Sequence, residues 1–140
     1  MACRCYQKST LEAFNISSQE LAVDANVEFD SYTQTGASIV PLGSTSIKLK
    51  PGLYQIIVNA SAGGTGTVTF QLYRNGVAIP NAIGSGISAG PTNLVPLSLG
   101  NIIDVKKSCN CVDNTTILTI KNVGVAATVA DINVDVVKLA

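Results

Sequence analysis

The chain has no histidine and no tryptophan. Without histidine it can form neither a Ser-His-Asp nor a Cys-His nucleophile pair, nor a His-based metal centre, so an enzyme is not expected. Charge is scarce as well: Asp, Glu, Lys and Arg make up 13% of the 140 residues, against about 25% in an ordinary soluble domain. Nine basic and nine acidic side chains leave no formal net charge, and no basic cluster exceeds Lys106-Lys107. A nucleic-acid footprint is therefore excluded. No run of about 18 consecutive apolar residues is present, which excludes a membrane-spanning helix and predicts a soluble chain with no membrane partner. The opening residues Met1-Ala2-Cys3-Arg4-Cys5 are polar where a signal peptide carries its apolar segment, so synthesis in the cytoplasm is expected.

What the chain does have is apolar residues, at 46% with a mean hydropathy of +0.35. A chain this short of polar surface is expected to bury a further face against copies of itself. The apolar residues alternate. Ile47-Lys48-Leu49-Lys50, a Pro51-Gly52 turn and Leu53 to Asn59 read as a hairpin, because Pro presets φ at one turn position and Gly accepts positive φ at the next. A second hairpin is predicted from Val68 to Arg74, Asn75-Gly76, and Val77 to Ile79, since Asn-Gly between alternating residues is the strongest short-range hairpin signal.

Elsewhere, residues 1–19 show no sustained period and read as an N-terminal arm, with a helix start conceivable at Ser9 or Thr10. Residues 20–140 read as one domain. Its first strand is expected over Leu21 to Phe29, followed by a polar loop from Ser31 to Gly36 and a short strand at Ile39-Val40. Residues Ala62 to Gly66 read as a flexible loop, Asn81 to Pro91 as a loop or edge strand, and Asn93 to Leu99 as a strand that Pro96 confines to an edge. Ile102 to Val105, Thr116 to Lys121 and Ala130 to Leu139 complete the set. Many short strands with regular turn signals mean an all-β sandwich or barrel.

The run Leu49-Lys50-Pro51-Gly52-Leu53-Tyr54, the glycine-rich gap, and Val68-Thr69-Phe70 to Leu72-Tyr73-Arg74-Asn75-Gly76 resemble the globular head shared by tumour necrosis factor, complement heads and bacterial or phage collagen-like surface proteins. Gly100 to Val105 and the strands at Asn114 to Ile120 and Asp131 to Val134 fit the same pattern. The resemblance covers the chain from about Glu20 to its end. It implies a jelly-roll β-sandwich of about eight to ten antiparallel strands that assembles as a homotrimer and works by presenting surface. Tyr54, Phe70 and Tyr73 are candidate interface residues, because those strands carry apolar residues on two faces and one core uses only one of them.

In such a fold the chain begins and ends at one pole, and a loop two strands before the end lies there too. Cys3 and Cys5, and Cys109 and Cys111, the only cysteines, should then meet. They can form disulfides between arm and loop, which is the preferred reading, hold a metal ion as a Cys₄ site, or stay reduced. Asp24, Glu28, Asp104, Asp113, Asp131 and Asp135 are dispersed along strands and read as solvated. Asp113 and Asn114 share a loop and are the one place for a calcium ligand. Asn15-Ile16-Ser17, Asn59-Ala60-Ser61 and Asn114-Thr115-Thr116 match the N-glycosylation pattern by chance. The four tyrosines, Tyr6, Tyr32, Tyr54 and Tyr73, are a weaker candidate for a sugar platform than for packing. No cofactor is implied. The functional expectation is a structural trimer on the surface of a bacteriophage particle, a decoration or short fibre protein, with its arm on a capsid or tail protein. The alternatives are a spore-surface protein of the same fold and a carbohydrate- or receptor-binding head.

Overall fold

The computed structural model describes residues 8–107 and 114–140, and among them eleven strands form two antiparallel sheets packed face to face. The strands are β1 (Thr10–Asn15), β2 (Gln19–Leu21), β3 (Ser31–Thr35), β4 (Ile39–Leu42), β5 (Ser46–Leu49), β6 (Gly52–Gly64), β7 (Gly66–Arg74), β8 (Val77–Ser88), β9 (Val95–Val105), β10 (Thr116–Asn122) and β11 (Ala127–Lys138). One sheet has the order β3-β1-β11-β6-β9, with β2 also on β11; the other has the order β4-β5-β10-β7-β8. This is the jelly-roll sandwich that the resemblance implies. Alternation explains it: Tyr54, Ile56, Val58 and Ala60 of β6 point into the same core as Val68, Phe70 and Leu72 of β7 from the opposite sheet.

Five segments fold differently from their sequence reading. The arm expected over residues 1–19 is sheet for much of its described part, because Thr10–Asn15 pairs with β11 on one side and β3 on the other and buries Leu11 and Ala13. Its six-residue alternation is too short to announce itself beside the polar residues that follow. No boundary falls at residue 19, since β1 and β2 run along the same strand β11 with a turn between them. Asn15 shapes that turn: its Oδ1 accepts from Ser17 N at 2.8 Å and its Nδ2 donates to Glu28 O at 3.1 Å. This 7%-exposed amide, with both ends engaged, is no glycan acceptor.

The strand expected over Leu21 to Phe29 ends at Leu21, although Val27 and Phe29 are buried; the chain turns at Asp24, with φ of 68°, and Asn26 makes only a single bridge to Lys121. The polar loop expected from Ser31 is instead the edge strand β3, whose residues other than Tyr32 are polar, as suits an edge.

The hairpin expected around Pro51-Gly52 is not one. β5 pairs with β4 and β10, whereas β6 pairs with β11 and β9, so the turn carries the chain from one sheet to the other. Gly52 has φ of 155°, far from the value near +80° that a type II turn takes. Tyr54 fastens the crossing: its hydroxyl donates to Lys50 O at 2.6 Å while the ring is fully buried. Tyr54→Phe should therefore cost about 1–2 kcal/mol in a denaturant titration, since it leaves a partly enclosed carbonyl unpaired. The stretch Ala62 to Gly66, expected as a loop, is likewise a crossing with strand on both sides of Thr65.

The Asn75-Gly76 hairpin forms as read. Asn75 and Gly76 have φ of 51° and 79°, and Arg74 faces Val77 across a two-residue turn. Pro96 lies in β9, at the edge of its sheet as expected, and β8 is the edge of the other. The two edges meet closely: a Cβ at Gly84 of β8 would lie 2.5 Å from Ser98 O of β9.

Candidate functional site

On the six-stranded sheet the register fixes what lies side by side on the outer face. One row reads Thr35, Thr10, Val137, Gln55, Ile102, and the next Thr33, Glu12, Asp135, Ile57, then Gly100. A third reads Ser31, Phe14, Asn133, Asn59, Ser98. The inward neighbours of these residues, among them Leu11, Ala13, Val134, Val136, Ile56 and Val58, fill the core. The face is thus built by the second half of each alternating strand.

Its apolar part is made by Ile57, Ile102 and Val137, beside the acidic pair Glu12 and Asp135. Ile102 is 60% exposed, Ile57 43% and Val137 36%, and Gly100 supplies no side chain between them. The result is a depression of about 410 Å³ reaching from Gln55 and Ile57 to Asn81, Asn101 and Ile102. Polar side chains here mostly satisfy one another: Ser98 Oγ donates to Asn59 Oδ1 at 2.6 Å, and Asn101 Nδ2 to Asn81 Oδ1 at 3.0 Å. Glu12 and Asp135 are direct cross-strand partners, with Asn133 Nδ2 donating to Glu12 Oε1 at 2.8 Å. Burial, and then the neighbouring Glu12 carboxylate, raise the Asp135 carboxyl above the ordinary range.

Beside this face, the β8 edge exposes Ile83 at 46% and Ile87 at 82%. The outer face of the five-stranded sheet differs: there Lys121 Nζ sits 5.0 Å from the Tyr73 ring centroid, a cation–π contact.

The candidate interface aromatics separate accordingly. Tyr54 and Phe70 are fully buried in the core and cannot form an interface, whereas Tyr73 stays on the outer face of the other sheet. Aromatic type alone does not tell inside from outside. The residues that do form the apolar patch were legible in another way, through the doublets Ile56-Ile57, Ile102-Ile103 and Val136-Val137. In a strand two adjacent residues face opposite ways, so one of each doublet must point out. Asp135, read as one of several solvated carboxylates, has Glu12 opposite it because β1 is a strand.

Cys3, Cys5, Cys109, Cys111, Tyr6 and Asp113 lie outside the described residues. The strand ends that flank them share one end of the sandwich: Thr10 pairs with Val137, Tyr54 with Lys138, and Gly52 with Val105. Among the described residues no group of three or more His, Cys, Asp or Glu is placed to hold a metal ion. Asn114 donates through Nδ2 to Lys106 O at 3.1 Å.

The sequence matches no family model and no curated protein. Solved structures match over nearly the whole chain. Murine APRIL superposes with a TM-score of 0.71 at 12% identity, covering 95% of this chain and 100% of that one. The globular domain of zebrafish complement 1qA protein superposes with a TM-score of 0.62 at 11% identity, covering 89% and 94%. The PRD1 vertex protein superposes with a TM-score of 0.56 at 17% identity, covering 94% and 97%. At these identities the likeness is one of fold, a jelly roll of the tumour-necrosis-factor and complement-head kind.

Proposed function

We propose that the protein is a non-enzymatic structural subunit that closes into a homotrimer through the outer face of its six-stranded sheet and is displayed on the surface of a bacteriophage particle. The observation that carries the self-association is the patch of Ile57, Ile102 and Val137 exposed on this face, beside the Glu12 and Asp135 carboxylates. Its occupant is a second copy of the chain. The exposed Ile83 and Ile87 of the β8 edge have the same apolar character and no charge to desolvate. An edge meeting a face is a heterologous contact, which ends in a closed ring rather than a filament when the rotation closes, as in a trimer. The likeness to a phage vertex protein supports a place on a virion, decorating the capsid or forming a short fibre, with the N-terminal segment on a capsid or tail protein. Purified virions should contain the protein in fixed stoichiometry to the major capsid protein, by quantitative mass spectrometry. Its absence from virions, or glycan binding that survives loss of avidity, would overturn the phage role in favour of the spore-surface or sugar-binding reading.

The cysteines add a test of their own. We propose that Cys3 and Cys5 cross-link to Cys109 and Cys111 once the protein leaves the reducing cytoplasm. Closing a loop of about 100 residues contributes up to ~4.7 kcal/mol on the chain-entropy estimate, so reductant should lower the melting temperature. Intact mass without reductant should show the loss of two hydrogens per bridge. An unchanged mass, with zinc found by elemental analysis, would mean a metal site instead.

A further inference from the structure

At the centre of the outer face of the six-stranded sheet, Glu12 and Asp135 stand opposite each other on adjacent strands. Directly opposed residues of an antiparallel pair have Cβ atoms about 4.5–5.5 Å apart, and like charges there repel. Among the described residues, the groups around them offer no counter-charge. β6 presents Gln55, Ile57 and Asn59, β3 presents Thr33, and β1 itself presents Thr10 and Phe14. β11 presents Asn133 and Val137, and Asp131 beyond them is a third carboxylate. Lys138 alternates to the other side of β11, where its Nζ lies 3.3 Å from Ser38 Oγ. Lys8 lies four residues before Glu12, about 13 Å away at ~3.3 Å per extended residue. One oxygen of Glu12 has the Asn133 amide for company, a neutral donor. The Asp135 carboxyl is already pushed upward in the single chain, by burial first and by Glu12 second.

Covering this face removes the water that solvates the two carboxyl groups. With no cation among the described residues of the face and none on the apolar β8 edge proposed to cover it, the relief available to the pair is to bind one proton and share it. We propose that the Glu12–Asp135 pair makes self-association through this face proton-linked, so that each copy takes up a proton as the ring closes. The proposal rests on the self-association reading above. Its sign follows from linkage: covering raises the pair's affinity for a proton. The resulting gain in assembly is fully present below the titration of the uncovered pair and is lost as pH rises through that of the covered one. Acid therefore tightens the ring and alkali loosens it, by about tenfold in the association constant per pH unit for each proton taken up. A particle passing from a neutral cytoplasm into an acidic surrounding would hold these subunits more firmly.

The test uses full-length protein and its double variant Glu12→Gln with Asp135→Asn, which keeps the shape and an acceptor for Asn133. Sedimentation equilibrium is run from pH 5 to pH 9, with subunit exchange between isotopically labelled and unlabelled copies followed by native mass spectrometry. The expected result is association that weakens and exchange that quickens with rising pH in the wild type. In the variant both should be flat and as tight at pH 8 as the wild type is in acid. Equal pH dependence in the two proteins, or none in the wild type while it remains a trimer, overturns the proton linkage and leaves the trimer standing. A wild type that is monomeric at every pH overturns the self-association reading itself.

Discussion

Replacing Ile57 and Ile102 together with aspartate should leave a folded monomer of 14.5 kDa, where the proposed trimer predicts three times that mass for the wild type by light scattering. Both side chains are exposed in the single chain, 43% and 60% respectively, so their loss removes little from its core. In a ring, however, each copy would carry two additional carboxylates into a covered apolar patch that already holds Glu12 and Asp135. An ion left unpaired on burial costs several kcal/mol. At 1.4 kcal/mol per factor of ten, association should fall by at least about a thousandfold. Far-ultraviolet circular dichroism and the unfolding midpoint, extrapolated to low protein concentration, should remain those of the wild type. A trimer that survives both substitutions would show that another face is used.

The largest effect on the fold itself is expected at Asn122, in the last position of β10. This residue is fully buried, and its Nδ2 points at three backbone carbonyls, Leu21 O at 3.2 Å, Ala22 O at 3.3 Å and Val125 O at 2.9 Å. Its Oδ1 accepts from Gly124 N at 3.2 Å. Its backbone joins in, with Asp24 N donating to Asn122 O and Asn122 N donating to Ala25 O. One side chain thus pins the turn after β2 to the turn before β11. Asn122→Asp keeps the shape and reverses the chemistry, aiming a carboxylate at three carbonyl oxygens.

The expected cost is about 3–5 kcal/mol at neutral pH, and about 2–3 kcal/mol for Asn122→Ala, which leaves the carbonyls unpaired but adds no charge. The two variants should separate by their pH dependence. The introduced carboxyl has its folded pKa raised above the ~3.9 of an unfolded chain, so its folded form binds a proton first. Stability should then return as pH falls through the folded pKa, with a limiting slope of about 1.4 kcal/mol per pH unit, until the unfolded chain titrates as well. The alanine variant should lack that recovery. Urea titrations at several pH values measure both, and an aspartate variant no weaker than the alanine one would remove Asn122 from this role.

The sandwich was legible because alternation of apolar and polar residues is a local property. Ile47 and Leu49, Tyr54 to Val58, and Leu118 and Ile120 each announce a strand with one buried side, whatever that strand pairs with. The Asn75-Gly76 turn was legible for the same reason, since two residues at positive φ and the two-residue connection they make are decided within four positions. The proline in β9 carried its information locally too, since it has no N–H for a second neighbour and so marks an edge. Absence of histidine narrowed the chemistry before any fold was known.

Pairing is not local, and there the tertiary structure decided. Pro51-Gly52 connects two strands equally well whether they are neighbours in one sheet or members of two, because either way Ile47 and Tyr54 reach one core. What separates the cases is the partner each strand finds far away, β10 for one and β11 for the other. Whether Tyr54 and Phe70 or Ile57 and Ile102 lie inside is likewise a matter of which side of each strand the opposite sheet covers. Alternation divides a strand into two sides and is silent about which is which when both are apolar. Glu12 meets Asp135 across 123 positions of chain only because β1 lies against β11. By itself, then, the order of residues determined most of the strands and the Asn75-Gly76 turn. Which strands are neighbours, which of their two sides is left bare, and hence where this protein can be touched, came from long-range pairing that no short window of sequence contains.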